Sequence, residues 1–219
     1  MKITSIDVFM LKYDQPLYLR PVIARVNTDE GIHGLGEAAL AFTYGPPAAF
    51  QMLLDLAPLA IGMDPLANEV IWEKLFRNGF WTQGNGAVEL GAISAIDMAL
   101  WDIKAKVAGL PLYKLLGGKH HEKLRTYASQ LQFGWGEKTD DLFNPEAYIE
   151  GCHAAKAEGY DCVKLNFLRQ REDGTWTTPA DVCNHLSRKM LKLAEKRLAT
   201  VRDIMGPDCD IILANHAIT

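Results

Sequence analysis

The chain has 219 residues, of which 48% are hydrophobic and 23% are charged, so its composition is that of a globular protein. Its net charge of -4 argues against non-specific binding to nucleic acid or to an anionic membrane. No apolar run is long enough to cross a bilayer, and the first twenty residues do not form a secretory signal. We therefore expect a cytoplasmic protein whose partners include neither nucleic acid nor a membrane. Four scattered cysteines without C-x-x-C spacing are expected to remain thiols.

The first half of the chain predicts a small antiparallel sheet followed by helices. The predicted strands are 2–12, 19–28 and 32–39, and the predicted helices are 46–61, 65–76 and 87–108. The turn signal Asp29-Glu30-Gly31 separates the second and third strands. Asn85 is the expected N-cap of the last helix, and Gly109 is expected to end it. This order of elements indicates an α+β layout.

The second half alternates strands with helices. Strands are predicted over 124–133, 162–167 and 210–215, and helices over 144–158 and 185–204. Strands that are separated by helices pair in parallel through right-handed crossovers. Such units begin either a Rossmann-like sheet or a (β/α)8 barrel. No G-x-G-x-x-G turn follows the first strand, which argues against dinucleotide binding.

A long segment in the last helix of the first half resembles a known family. Residues 92–106 (AISAIDMALWDIKAK) and 109–118 (GLPLYKLLGG) are similar to the signature of the mandelate racemase/muconate lactonizing branch of the enolase superfamily. The strand pattern with Gly34-Leu35-Gly36-Glu37 also resembles that family's N-terminal capping domain. The resemblance implies an α/β protein: an α+β capping domain over residues 1–120, formed by an antiparallel meander plus helices, then an incomplete (β/α)8 TIM-type barrel over residues 121–219. The helix's small residues, Ala92, Ala95, Ala99 and Ala105, are expected to let it pack closely on its neighbours.

The resemblance also implies a chemistry. Enzymes of this branch use Mg²⁺, held by carboxylates on successive barrel strands, to stabilise the product of removing a proton α to a carboxylate. The reacting groups are expected at the carboxyl ends of the strands. Within the branch, the chain is most like the acid-sugar dehydratases of the galactonate and mannonate type. The expected partner is a small acid-sugar or other carboxylate substrate, and the family's habit of self-association predicts a homo-oligomer.

Three residues are the candidates for catalysis. Lys164 and Asn166 are two positions apart on a predicted strand and therefore share one face. The resemblance places racemase lysines at these positions, and the Asn166 amide cannot accept a proton, which disfavours a two-base racemase. Lys164 is expected to polarise a substrate carboxylate, or else to be an ordinary surface lysine. His216 matches the family's general acid for a departing hydroxyl, with a structural histidine as the alternative.

The expected first metal-ligand position carries the wrong residue. The family pattern requires Asp or Glu at position 214, where this chain has Ala214, and a methyl group cannot coordinate a cation. Asp208 and Asp210 precede or begin the strand and are expected at its opposite end. Three barrel strands are predicted before Thr219, whereas a complete barrel takes about 250 residues. We therefore expect no metal ligand at this position and an enzyme that is incomplete or inactive as this chain.

Three further residues are candidates for substrate binding. Arg20 lies in the predicted loop 13–20, Tyr44 in the loop 42–45, and Trp176 in a long insertion over 168–188. The alternatives are a solvated loop for the first two and a tryptophan that packs within its own loop for the third. For the whole chain, the alternatives to a dehydratase are a non-catalytic or decayed member of the family, or a racemase, epimerase or cycloisomerase.

Overall fold

A computed structural model describes residues 1–11, 19–42, 44–84, 86–136, 144–183 and 185–216. The chain divides into two compact units, Met1–His120 and His121–Thr219, which are described separately below. Within the described ranges, no helix is both long enough and apolar enough to cross a membrane.

The first unit contains a three-stranded antiparallel sheet in the order β1-β2-β3. The strands are β1 (Ile3–Met10), β2 (Val22–Thr28) and β3 (His33–Ala38), each shorter than predicted. Alternate residues of β2 are buried, as expected for a sheet with one face on a core. The Asp29-Glu30-Gly31 turn forms as predicted, with Gly31 at a φ of 79°, where glycine is favoured.

Helices cover one face of this sheet. They are α1 (Gly45–Ala60), α2 (Asn68–Asn78), α3 (Ala87–Val107) and the short, unpredicted α4 (Leu112–Leu115). Gly86 takes the N-cap position of α3, and the predicted cap Asn85 lies outside the described residues. Gly109 follows the end of α3 and has a φ of 63°. This left-handed conformation is common for a glycine just after a helix and fits its predicted role of ending α3.

The small residues of α3 allow β3 to approach its backbone. An ideal Cβ on Gly34 would lie 1.9 Å from the Ala99 carbonyl oxygen, and one on Gly36 would lie 2.0 Å from that of Ala95. The Asp102 carboxylate accepts a hydrogen bond from the Leu35 backbone N–H at 3.0 Å, which ties the helix to the strand. The family-like segment therefore has a structural function in this unit, and the predicted close packing is confirmed.

The second unit contains a three-stranded parallel sheet in the order β4-β5-β6, as the strand–helix alternation predicts. Its elements are β4 (Ala128–Ser129), α5 (Ala147–Ala157), β5 (Cys162–Leu165), α6 (Pro179–Val182), α7 (Arg188–Met205) and β6 (Asp210–Leu213). Buried residues of the strands pack against α5 and α7 in one apolar core. The antiparallel sheet with helices and the parallel sheet with helices are both confirmed, and the incomplete (β/α)8 barrel stays a prediction.

The predicted strand 124–133 is wrong over most of its length. Only Ala128–Ser129 is a strand, and Leu131–Phe133 forms a short 3-10 helix. Gln130 adopts a left-handed backbone with a φ of 65°, and Gly134 follows the short helix with a φ of 93°. These conformations turn the chain after β4, because extended strand backbone has a negative φ.

Candidate functional site

Polar side chains surround a hollow at the carboxyl ends of the three parallel strands. The hollow opens to solvent. Its lining residues are Ser129, Gln130, Gln132, Lys164, Leu165, Asn166, Ala214 and His216. Parallel strands bring their carboxyl ends to one edge of a sheet, where ligands bind in α/β folds. The structure thus brings together the three catalytic candidates Lys164, Asn166 and His216, and places Ala214 beside them.

Backbone hydrogen bonds continue the sheet for one residue beyond the strands and so position this lining. The Gln130 N–H donates to the Lys164 carbonyl oxygen at 2.9 Å, and the Ala214 N–H donates to that of Leu165 at 2.9 Å. Asn166 and Ala214 each directly follow the last residue of a strand. His216 lies two residues further on, with a φ of 51° that is uncommon outside glycine. The lining therefore rests on the sheet rather than on a free loop.

Asn166 is engaged by its own surroundings. It is 5% exposed, and its backbone N–H donates to the Gln132 side-chain oxygen at 3.3 Å. Its side-chain oxygen accepts a hydrogen bond from the Leu168 N–H at 3.1 Å, which closes the turn after β5. The amide oxygen therefore shapes this turn, and the amide nitrogen is the group that Asn166 can offer to a ligand.

Lys164 brings a positive charge to the hollow. Its ammonium nitrogen lies 5.4 Å from the centre of the Tyr127 ring, a cation–π contact. No carboxylate within the described ranges forms an ion pair with it. An aromatic face does not neutralise a charge, so Lys164 can attract an anionic group of a ligand.

The residues present do not fit the magnesium ion that the resemblance implies. None of the eight lining residues is a carboxylate, and position 214 offers only a methyl group. In the described part of the chain, no group of three or more His, Cys, Asp or Glu side chains could hold a metal. The Asp210 carboxylate accepts a hydrogen bond from Arg125 at 2.6 Å at the start of β6, away from the hollow, as the sequence predicts.

One of the three substrate-binding candidates, Trp176, belongs to the second unit, and it is not among the residues that line the hollow. Arg20 and Tyr44 belong to the first unit, where both side chains are exposed and Tyr44 directly precedes α1. Most of the predicted loop 13–20, and position 43 of the loop 42–45, lie outside the described residues. Trp176 pairs through its backbone with Gln170 and contacts the Phe133 ring, with 6.2 Å between ring centres. Trp176 thus contacts one residue of its own loop and one outside it, and its part in substrate binding stays a prediction.

The sequence analysis missed the lining residues that β4 contributes. Ser129, Gln130 and Gln132 fall within the ten residues predicted as a single strand. Gly134 favours a turn after residue 133, where the predicted strand ends, and therefore did not signal the early end at Ser129. If the strand had been predicted to end at Ser129, these polar side chains would have been expected at its carboxyl end.

A buried arginine that the sequence analysis also missed supports the loop after β5. Arg197 of α7 is 4% exposed, and burial lowers the pKa of its guanidinium. The guanidinium donates to the carbonyl oxygens of Phe167 at 3.0 Å and Arg171 at 3.2 Å. Its signal was its place in a helical stripe of otherwise apolar core residues, Met190, Leu193 and Val201.

An antiparallel sheet with helices, followed by a parallel sheet whose strands end at a polar hollow, is consistent with the fold of the enolase superfamily. Comparison with known proteins agrees. Residues 18–117 match the N-terminal domain of the mandelate racemase/muconate lactonizing enzyme family. A crystal structure of a member of the enolase superfamily from Salmonella Typhimurium is 48% identical, with a TM-score of 0.92, and the match covers 100% of this chain and 55% of that one.

Curated relatives narrow the class. A D-galactonate dehydratase family member from Halomonas elongata is 35% identical over 211 residues, and one from Marinomonas sp. is 45% identical over 204. Each match covers 89% of this chain and 49% of the relative, so the chain spans about half the length of the curated relatives it matches. The chain is therefore related to the mandelate racemase/muconate lactonizing branch of the enolase superfamily, and it is similar to members of the D-galactonate dehydratase family.

Proposed function

We propose that the second unit carries the substrate site of an acid-sugar dehydratase. In this site Lys164 binds the carboxylate, Asn166 donates its amide N–H to the ligand, and His216 stands where an active dehydratase would protonate the departing hydroxyl. The observation that carries the proposal is that these three side chains line one hollow at the carboxyl ends of parallel strands.

The reaction is the elimination of water from an acid sugar. A base takes the proton α to the carboxylate, and the electron pair of that C–H bond forms the double bond to the β carbon. The bond between the β carbon and its hydroxyl breaks, and the hydroxyl leaves as water with a proton from an acid. The enol that forms tautomerises to a 2-keto-3-deoxy acid. An imidazole can donate a proton to a leaving hydroxyl, so His216 has the chemistry that this step requires. Magnesium would supply the charge stabilisation of the enolate, and the lining residues do not fit it.

We propose further that this chain binds acid sugars without turning them over. Ala214 provides no oxygen where the family pattern has a metal ligand, and the Asn166 amide cannot accept the α-proton. The same amide disfavours the racemase, epimerase and cycloisomerase alternatives. Ala214 favours the non-catalytic alternative, which differs from our proposal only in whether the substrate still binds. The cytoplasmic location and the homo-oligomer stay predictions.

Calorimetric titration with matched ligands tests the proposal. D-Galactonate and D-mannonate are expected to bind, whereas the neutral polyols galactitol and mannitol, which lack the carboxylate, are expected to bind far more weakly. The variant Lys164→Met is expected to weaken galactonate binding ten- to a hundred-fold, the loss of one charge-assisted hydrogen bond of about 1.5–3 kcal/mol. The control Lys192→Met, at an exposed lysine of α7, is expected to bind normally.

Each outcome has a defined meaning. Polyols that bind as tightly as the acids, or a Lys164→Met variant with unchanged affinity, would contradict the substrate site. Formation of 2-keto acid by this chain in the presence of Mg²⁺, followed with semicarbazide, would contradict the proposed lack of turnover. Galactonate binding without product supports both parts.

A further inference from the structure

The side chains that line the hollow bring a positive charge, whereas a site for a metal cation offers negatively charged ligands. Among the described residues that line the hollow, Lys164 is the one charged side chain, and His216 is the one other that can become positive. A hard divalent cation is held by carboxylate and other oxygen ligands that offset its charge. At this edge of the sheet it would meet an ammonium group instead, and that repulsion opposes binding.

From this we infer that the hollow binds the carboxylate of its ligand directly, without a divalent cation between protein and ligand. The inference rests on the proposed acid-sugar site and changes how that site recognises its ligand. Lys164 provides the charge and Asn166 a neutral N–H donor. The Ala214 methyl group leaves room where an acidic side chain would otherwise stand.

Ala214 lies where the type of side chain would change the net charge around Lys164. Ala214 and Asn166 follow the ends of two paired strands, and neighbouring strands lie about 4.8 Å apart. Lys164 lies on β5, two residues before Asn166, and both side chains line the hollow. A carboxylate at position 214 would therefore reach the Lys164 ammonium and neutralise the charge that attracts the ligand. With alanine there, that charge stays available.

Metal dependence of binding is the direct test. The full chain is passed over a chelating resin and titrated with D-galactonate, first without metal and then with 5 mM Mg²⁺. We expect dissociation constants that agree within about two-fold, and no binding heat when Mg²⁺ is titrated alone. This comparison needs no variant, so it does not depend on the folding of an altered protein.

Two substitutions at position 214 test whether a negative charge there weakens ligand binding. In metal-free buffer, Ala214→Glu is expected to weaken galactonate binding about ten-fold or more, because its carboxylate pairs with Lys164. Ala214→Gln has nearly the same size without the charge and is expected to weaken binding much less. Circular dichroism shows whether each variant keeps its helices.

The outcomes separate this inference from the proposed function. Galactonate binding that requires Mg²⁺, or that Ala214→Glu strengthens in metal-free buffer, would overturn the inference and leave the acid-sugar site standing. No galactonate binding under either condition would overturn the acid-sugar site itself. Equal binding with and without Mg²⁺ supports both.

Discussion

The guanidinium of Arg197 donates a hydrogen bond to the carbonyl oxygen of Gln170 at 2.8 Å, and so joins the middle of α7 to the loop that follows β5. The same guanidinium also binds the carbonyl oxygens of Phe167 and Arg171. Phe167 directly follows Asn166, so this buried clamp holds the backbone next to the hollow. Buried carbonyl groups need such partners, because an unsatisfied one costs free energy.

Replacing Arg197 with methionine is expected to destabilise the second unit by about 3 kcal/mol, because buried carbonyl groups lose their donor. Arg197→Lys should recover part of this loss, since an ammonium group donates hydrogen bonds but lacks the planar fork. Amide hydrogen exchange of β5, measured at increasing urea concentration, reports the stability of the second unit by itself. The control Lys196→Met, at an exposed neighbour, should change stability by less than about 0.5 kcal/mol. Equal stability of Arg197→Met and the control would show that the clamp is unimportant.

Alanine substitutions at two glycines of the first unit, one in β3 and one in α3, are expected to have opposite effects on its stability. Gly34→Ala is expected to destabilise the first unit by about 3 kcal/mol, because the new Cβ would overlap the Ala99 backbone carbonyl. Gly91→Ala is expected to stabilise it by about 0.5–1 kcal/mol, because Gly91 lies inside α3 and the nearest atom to its new Cβ is 3.7 Å away. Thermal unfolding of the two variants measures both changes. A tolerated Gly34→Ala substitution would contradict the close approach.

Because of Asp181, the stability of the loop after β5 is expected to decrease at acid pH. A hydrogen bond from the Thr178 backbone N–H, together with the Arg171 guanidinium, lowers the pKa of its carboxyl group to about 2. Because this pKa lies below its value of 3.8 in the unfolded chain, the stabilisation is present above about pH 4 and is lost as the pH falls toward 2.

The substitution Asp181→Asn isolates this effect. Its melting temperature should lie below that of the wild type at pH 6, and the difference should shrink as the pH falls below 4. Amide exchange across 171–183 locates the change in the loop. A difference that stayed constant from pH 6 to pH 3 would mean that Asp181 does not stabilise the loop through its charge.

The four cysteines should differ in reactivity. Cys183 is exposed, whereas Cys152, Cys162 and Cys209 are buried, and burial raises the pKa of Cys152 to about 12. Because the thiolate is the reactive form, a maleimide at pH 7.5 should label one thiol rapidly and the others only after unfolding. Cys183→Ser should remove the rapid reaction, as mass spectrometry can show. Rapid labelling of Cys152 would contradict its burial.

Alkaline pH provides a second measurement on Cys152. Its pKa in the folded chain lies above the value of 9.0 for a free thiol, so its neutral form is the one that the fold accommodates. The stability that this thiol contributes is therefore complete below about pH 9 and is lost as the pH rises toward 12. Cys152→Ala should flatten the wild type's loss of stability over this interval.

Local patterns were enough to predict most elements and part of the hollow. Each of the three main predicted helices in the first unit forms within three residues of its expected ends, because apolar spacing and glycine stops act over short distances. Lys164 and Asn166 share the hollow because side chains alternate along a strand, which is also a local property. The unsuitability of position 214 for a metal could likewise be stated from the residue type alone.

Contacts between distant parts of the chain escaped prediction. The early end of β4 brings Gln132 to the Asn166 backbone, 34 residues further along. Arg197 binds carbonyl oxygens about 30 residues away, and Trp176 meets Phe133 instead of the hollow. None of these pairs is visible in a short window of sequence.

The sequence by itself determined the class of protein, the order of its elements and the residue types available to the site, because propensity and side-chain alternation depend on neighbours in the chain. Only the tertiary structure decided which of those residues share one hollow, which form hydrogen bonds within the loop after β5, and that the described lining of the hollow includes a lysine and no carboxylate. Those outcomes depend on strand pairing and helix packing, which bring together groups that the chain keeps far apart.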